Sequence, residues 1–378
     1  MLKRILPLML SITLISSSFI LGSTTYVKAS SNNTVNTINL TNYNLTNENL
    51  NKIKSNINKL LSSKYEIMKT GEFKSNSDII KNSKLLELVD KTNEFKSKWY
   101  KKVNLKISNY KSSLNIDDLK KISNNIYVLK VTYNIDYKLT DFTENSSSEE
   151  DYKLEIQNID GNWCITKIID LNEDFNESTE VNEKYSINNE FENYENIIDN
   201  KLDSINNISK DIDKYEEEYK NMINLNSAEE ESYSGYDANS AVQYAKKWAE
   251  GRNPEYKDWG DKDCTNFVSQ AVHNGGIPGS SVWYSRSNAW IRVIDFYNYM
   301  RANGYTFGGD YSSDSRLGDV IQLYNSNQKN WTHSVITTGS TGHGWLYCAH
   351  SNNRKNHPIA DVYPSSTYSK IRYIKFWH

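Results

Sequence analysis

The chain has 378 residues, with 44 Lys and Arg against 47 Asp and Glu, a net charge of −3 and three cysteines. Both signs of charge are scattered and form no basic patch large enough to suggest nucleic acid, so no nucleic-acid partner is expected. Three cysteines in a chain this long are too few for a disulfide framework; at most one pair forms.

The opening, "MLKRILPLMLSITLISSSFILGSTTYVKAS", has a basic start, an apolar run and small residues before a cleavage point. Val27-Lys28-Ala29 fits the cleavage rule, so residues 1–29 read as a signal peptide and Ser30 as the first mature residue. An uncleaved anchor is the weaker reading, because the run is short and broken by serines. The expected location is secreted or on the cell surface or wall, with no membrane contact after cleavage.

Residues 30–45 are a Ser/Asn/Thr-rich leader. Residues 46–185 read as a separate α+β domain, helices first and sheet after. Leu50, Ile53, Ile57, Leu60 and Leu61 recur at helical spacing, and Leu85, Leu86, Val89 and Phe95 mark a second helix. "LKVTYNIDYKL" then alternates from Leu129 to Leu139, and the following stretch reads as a hairpin turning at Asp160-Gly161. Cys164, in a strand beside Trp163, reads as a packed small hydrophobe. The domain has no histidine and no catalytic grouping.

Residues 186–224 carry apolar residues every three or four positions from Phe191 to Met222. This predicts one amphipathic helix of roughly thirty residues, about 45 Å long. It either packs along its own chain or self-associates as a coiled coil. Residues 225–235 are a polar linker. Residues 236–378 form the last domain, holding all six histidines and all but two of the nine tryptophans. The overall class is α+β.

In "DKDCTNFVSQAVHNGG", Phe267, Val268, Ala271 and Val272 make the buried stripe of a helix that Cys264 begins. Asp261 and Asp263 are capping candidates, and Gly275-Gly276 ends the run. A thiol in the first turn is favoured as thiolate by the unpaired N–H groups there. By spacing alone Cys264 is either a nucleophile or a packed residue.

A thiol nucleophile needs a base. His273 lies too far along the same helix, His343 is in a Gly-rich turn, His357 precedes Pro358 in a loop, and His378 is terminal. His333 and His350 remain, in the strand patterns 331–339 and 344–350, which follow a first strand at 318–324. A turn centred on Thr341-Gly342 would set His333 opposite His350 on one face, with Asn352 next on that face. Cys348 would share it, so a Cys264–Cys348 disulfide is the structural alternative. The histidines lack a zinc-ligand spacing, and no metal or other cofactor is expected. "SSVWYSRSNAW" offers Trp283, Tyr284 and Trp290 either as a groove wall or as ordinary packing.

"YDANSAVQYAKKWAEGRNPEYKDW", "DCTNFVSQAVHNGG", "LGDVIQLY", "THSVITTG" and "AHSNNRKN" occur in this order. Together they resemble the family described as the "putative amidase domain" of exported bacterial proteins, grouped with papain-like NlpC/P60 and CHAP cysteine hydrolases. The resemblance covers residues 236–378. It implies a papain-like domain in which a nucleophile helix packs on a small antiparallel sheet. Cys264 would be nucleophile and His333 base, with His350 and Asn352, seventeen and nineteen residues beyond His333, as the third position. The family's H-T-x-D reads His350-Ser351-Asn352-Asn353 here, an amide in place of the carboxylate. The implied activity is a cysteine-dependent amidase or peptidase acting on an amide of cell-wall peptide. The alternative is a weakly active surface-binding module on the same fold.

Overall fold

The computed structural model describes residues 45–173, 191, 193–224, 235–307 and 315–377. The expected signal peptide, the expected leader but for residue 45, the end of the expected 46–185 domain, the start of the expected 186–224 helix, most of the 225–235 linker, residues 308–314 and His378 lie outside them. Among the described residues no helix is long and apolar enough to cross a membrane.

The chain opens with α1 (Asn47–Thr70) and α2 (Ser83–Lys102). Thr46 caps the first, its hydroxyl accepting from Asn49 N at 3.1 Å, and Asn82 caps the second, accepting from Leu85 N at 3.0 Å; each satisfies one orphan donor of a first turn. Four antiparallel strands follow: β1 (Ile107–Lys121), β2 (Ile126–Leu139), β3 (Ser146–Ile159) and β4 (Asn162–Asp170). The odd residues of β2 from Leu129 to Leu139 are all buried, as their alternation predicts. The β3–β4 hairpin turns at Asp160-Gly161, both at positive φ (51° and 84°), the backbone of a two-residue turn that matches strand twist.

The expected long helix is two: α3 (Tyr194–Lys210) and α4 (Ile212–Asn224), broken at Asp211. The break turns the apolar stripe. Tyr194, Ile198, Ile205 and Ile208 are buried in α3, which lies on α2, while Tyr219 of α4 is buried against the turn before β8. A straight rod could not follow both surfaces. These four residues of α3 and Tyr219 of α4 are thus covered by this chain, while Leu202, Ile212 and Tyr215 of the same stripe are half-buried.

The C-terminal part contains α5 (Ala238–Trp248), α6 (Cys264–Asn274), α7 (Asn288–Ile291), α8 (Val293–Ala302), the short β5 (Thr306–Phe307), β6 (Val320–Asn325), β7 (Asn330–Thr341), β8 (Gly344–Ala349), β9 (Asn353–Pro358), α9 (Ile359–Val362) and β10 (Tyr368–Phe376). All nine residues from Cys264 to Val272 are buried, with α6 held between α5 and β7. Gly275 ends the helix where a side chain cannot fit: a Cβ there would lie 2.5 Å from the Tyr236 ring.

The two parts read from sequence as separate domains share one sheet. Its order is β1-β2-β3-β9-β8-β7-β6-β10-β5, with β4 on β3. The seam is β3 on β9, pairing Ser147 with Lys355, Ser148 with Arg354 and Glu149 with Asn353. Beneath it lies a buried ionic joint. Glu150 takes Lys64 at 2.8 Å and Arg354 at 3.5 Å; Asp361 takes Lys96 at 2.7 Å and His357 at 2.9 Å, and accepts from the Tyr100 hydroxyl. His357 is therefore a buried strand residue, not a loop residue. Tyr137 donates to its Nδ1 (2.8 Å) and its Nε2–H donates to Asp361, which suits a neutral ring.

Removing one charge from this joint leaves its partners buried and uncompensated. Glu150→Gln is expected to destabilise the protein by about 3–5 kcal/mol in urea unfolding, with intrinsic fluorescence as the readout.

Acid should act on the same joint. Burial holds the His357 pKa down at about 4, below its ordinary 6.5, so the unfolded chain takes that proton first and stability falls as pH drops from about 6.5 to 4. Lys64 and Arg354 hold Glu150 at about 2 against burial, so its contribution is present above 4.5 and fades toward 2. The unfolding midpoint measured from pH 7 to 3 should therefore decrease continuously.

Candidate active site

The string Asp263-Cys-Thr-Asn-Phe-Val-Ser-Gln270 is accounted for almost residue by residue. Thr265 Oγ1 donates to Ser334 Oγ on β7 at 3.1 Å. Asn266 accepts from Trp290 Nε1 (2.9 Å) and donates to Lys257 O (3.1 Å) and Asp263 Oδ1 (2.8 Å). Ser269 donates to Trp290 O and accepts from Trp283 Nε1, and Gln270 accepts from Tyr244. These side chains are buried, and buried polar groups persist only when bonded. The polar residues of the string weld α6 to its neighbours.

Trp283 and Trp290 are consequently packing residues, 0% and 2% exposed, and not a groove wall. Tyr284 between them stands out at 54% exposed.

Cys264 is 4% exposed, and its Sγ contacts Thr265 Oγ1 at 3.7 Å and the carbonyl of Thr332 at 4.0 Å. The thiol thus lies against β7 immediately before His333. All three cysteines are unbridged, so Cys264 and Cys348 form no disulfide. Cys348 sits beside Thr338 at 3.4 Å, where burial pushes its pKa up to about 11; it is an inert thiol.

The expected register is corrected. The β7–β8 turn consists of Gly342-His343, with Thr341 opposite Gly344, and an irregularity at Thr338 brings Ile336 opposite Cys348. His333 and His350 are not paired. Because Ser334 reaches α6, alternation sends His333 to the other face of the sheet. There its ring stacks on Tyr368 at 6.3 Å between centroids. Burial, with Arg354 nearby, holds its pKa down at about 3, so the imidazole is neutral.

His350 and Asn352 are elsewhere engaged. His350 lies stacked on Phe267, 4.0 Å between centroids, with Nδ1 2.6 Å from Asp263 Oδ2 and Nε2 2.8 Å from Trp248 O. Asn352 Oδ1 accepts from Asn172 Nδ2 at 2.6 Å. The neighbouring Asn353 bonds Glu149 and Arg252. Asp263, read from sequence only as a cap, is the residue that meets His350. It sits at the N-cap position without a side-chain cap bond, its carboxylate turned toward His350 and Arg252 (3.5 Å). The only signal was its place beside the cysteine. Among the described residues no cluster of three or more His, Cys, Asp or Glu is suited to a metal ion.

Asn266→Ala would strand the Trp290 indole N–H in the core. It is expected to lose about 1–3 kcal/mol of stability for that donor, whereas Trp290→Phe in the Asn266→Ala background should recover part of the loss in the same denaturation assay.

Residues 235–374 match the family described as "Putative amidase domain". Two proteins of Bacillus subtilis (strain 168) are similar in sequence. The uncharacterized protein YjcM is 34% identical over 148 residues, 36% of this chain and 36% of that protein. The uncharacterized protein YhbB is 40% identical over 80 residues, 18% of this chain and 25% of that protein. The chain thus covers well under two thirds of either relative. No solved structure matches.

Proposed function

We propose that the C-terminal part is a cysteine-dependent amide hydrolase, exported behind the 1–29 signal sequence and acting on peptide amides of the cell wall. The observation that carries the reading is the first turn of α6. Its other polar side chains are committed to structural bonds, while the Cys264 thiol occupies the turn where helix N–H groups and dipole favour an anion. The match to an amidase family over residues 235–374 supports the reaction class.

In this reading Cys264 attacks the amide carbonyl, and the N–H groups of Cys264 and Thr265 receive the developing oxyanion. The resting structure argues against a thiolate–imidazolium pair, because a ring with a pKa of about 3 is uncharged at neutral pH. His333 would act as a neutral general base, taking the thiol proton during attack and returning it to the leaving amine. It must first turn toward the sulfur. The β6–β7 irregularity at Thr332, whose carbonyl the thiol touches, is the local place for that adjustment. His350, bound to Asp263, does not orient His333 in this mechanism.

A binding module on the same fold is the second reading, favoured by His333 facing away from α6 and by the Asn172–Asn352 bond. The two separate on purified peptidoglycan. The hydrolase should release new amino groups; Cys264→Ser should abolish release and His333→Ala should lower it by about 10²–10⁴-fold. Retention on the wall without release, unchanged by prior alkylation of Cys264, would establish the binding module instead.

A further inference from the structure

Two buried histidines of this protein differ in one respect. His357 faces a donor, the Tyr137 hydroxyl, on one nitrogen and the Asp361 carboxylate on the other, so a single ring proton satisfies both contacts. His350 faces acceptors on both sides. Trp248 O at 2.8 Å can only accept, so Nε2 must carry a proton. Asp263 Oδ2 lies 2.6 Å from Nδ1, and an unprotonated Nδ1 would set a lone pair against a carboxylate. Burial pulls the His350 pKa below its ordinary value while the hydrogen bond to Asp263 pulls it back up, and a proton held in the Nδ1–Oδ2 contact is the arrangement that satisfies both acceptors at these distances. Both side chains are 1% exposed, so no solvent relieves the clash.

We propose that His350 and Asp263 act as a positioning pair for Cys264, sharing one proton between Nδ1 and Oδ2, so that the pair beside the thiol carries no net charge. The proposal deepens the reading of Cys264 as the reactive thiol and rests on it. Phe267 lies one turn along the same helix face as Cys264, and its stacking brings the His350 ring over the first turn of α6. Through Trp248 O the ring also ties α6 to the C-terminal end of α5. Asp263 is fixed from the other side by Trp259 N (3.1 Å) and Asn266 Nδ2. Among the described residues, Arg252 lies 3.5 Å from Asp263 and the exposed Asp258 lies 3.3 Å from Arg252, and the Tyr244 phenol also feels the Asp263 carboxylate. Arg252 thus already has a counter-ion. Without His350, Asp263 would stand as an anion one residue from the thiol and oppose its ionisation.

Alkylation of Cys264 tests this whether or not the protein hydrolyses anything. The rate of reaction with iodoacetamide against pH gives the thiol midpoint. In His350→Gln the midpoint should rise by about one unit, and in His350→Gln with Asp263→Asn it should return to the wild-type value. Failure of amide hydrolysis with this pattern intact would sink the enzyme reading and leave the pair standing. A midpoint unmoved in folded His350→Gln would overturn the pair. Wild-type protein labelled with ¹⁵N-histidine provides a measurement that needs no variant to fold. At pH 7 the His350 Nε2 should be protonated and a strongly deshielded, slowly exchanging proton should couple to or neighbour Nδ1. A bare Nδ1 without that proton would also overturn the proposal.

Discussion

Everything in this structure depends on how the β3–β9 seam is held. Among the described residues three residue pairs join the two halves of the sheet, and behind them stand the carboxylates of Glu150 and Asp361, both essentially out of solvent. Each meets at least two hydrogen-bonding or cationic partners, and those partners come from both halves: Lys64 and Lys96 from the first helices, Arg354 and His357 from β9. Charges buried this way specify an arrangement more than they strengthen it, because the desolvation they cost is recovered only when every partner is in place. That makes the joint selective for one docking geometry. The helices α1 and α2, the split α3–α4 pair and α9 then close around it.

A similar logic operates on a smaller scale in α6. A helix buried on all sides ordinarily reads as uniformly apolar, yet this one carries Thr265, Asn266, Ser269 and Gln270 into the core. Each is matched to a fixed acceptor or donor on β7, α7 or α5. The price of those polar groups is offset by position: they lock the rotation of the helix about its axis. The cysteine at its first turn thereby acquires a fixed direction toward Thr332. Asp263 and His350 complete the lock at the helix start, one from the chain just before it and one from the end of β8.

The parts of the fold that were legible in the sequence are those whose periodicity was undisturbed. The α1 stripe from Ile53 to Leu61, the alternation of β2 and the Asp160-Gly161 turn each follow from one-sided burial and local backbone preference. Strand β1 was hidden because its residues are mostly half-exposed or exposed, with Lys, Ser, Asn and Asp throughout. Strand β9, "NRKNHP", was hidden for the opposite reason. Of its polar residues, Arg354 and His357 are buried against the ionic joint and Asn356 against Thr338, Glu144 and Asn145, which no hydropathy pattern reports. The break at Asp211 was invisible because both helices keep the same spacing across it; only the two surfaces they cover differ.

The sequence by itself determined the local elements, the inward thiol at the start of α6 and the kinship of residues 235–374 with an amidase family, because these depend on neighbours within one or two turns. Only the tertiary structure decided which side chains face one another. A single irregularity at Thr338 shifts the β7–β8 register and sends His333 and His350 to different faces, since strand side chains alternate with a period of two. It also decided that Asp263, read from sequence as a cap, meets His350 eighty-seven positions away. Such pairings arise from the register of strands and the docking of helices, and no residue in either segment carries that information alone.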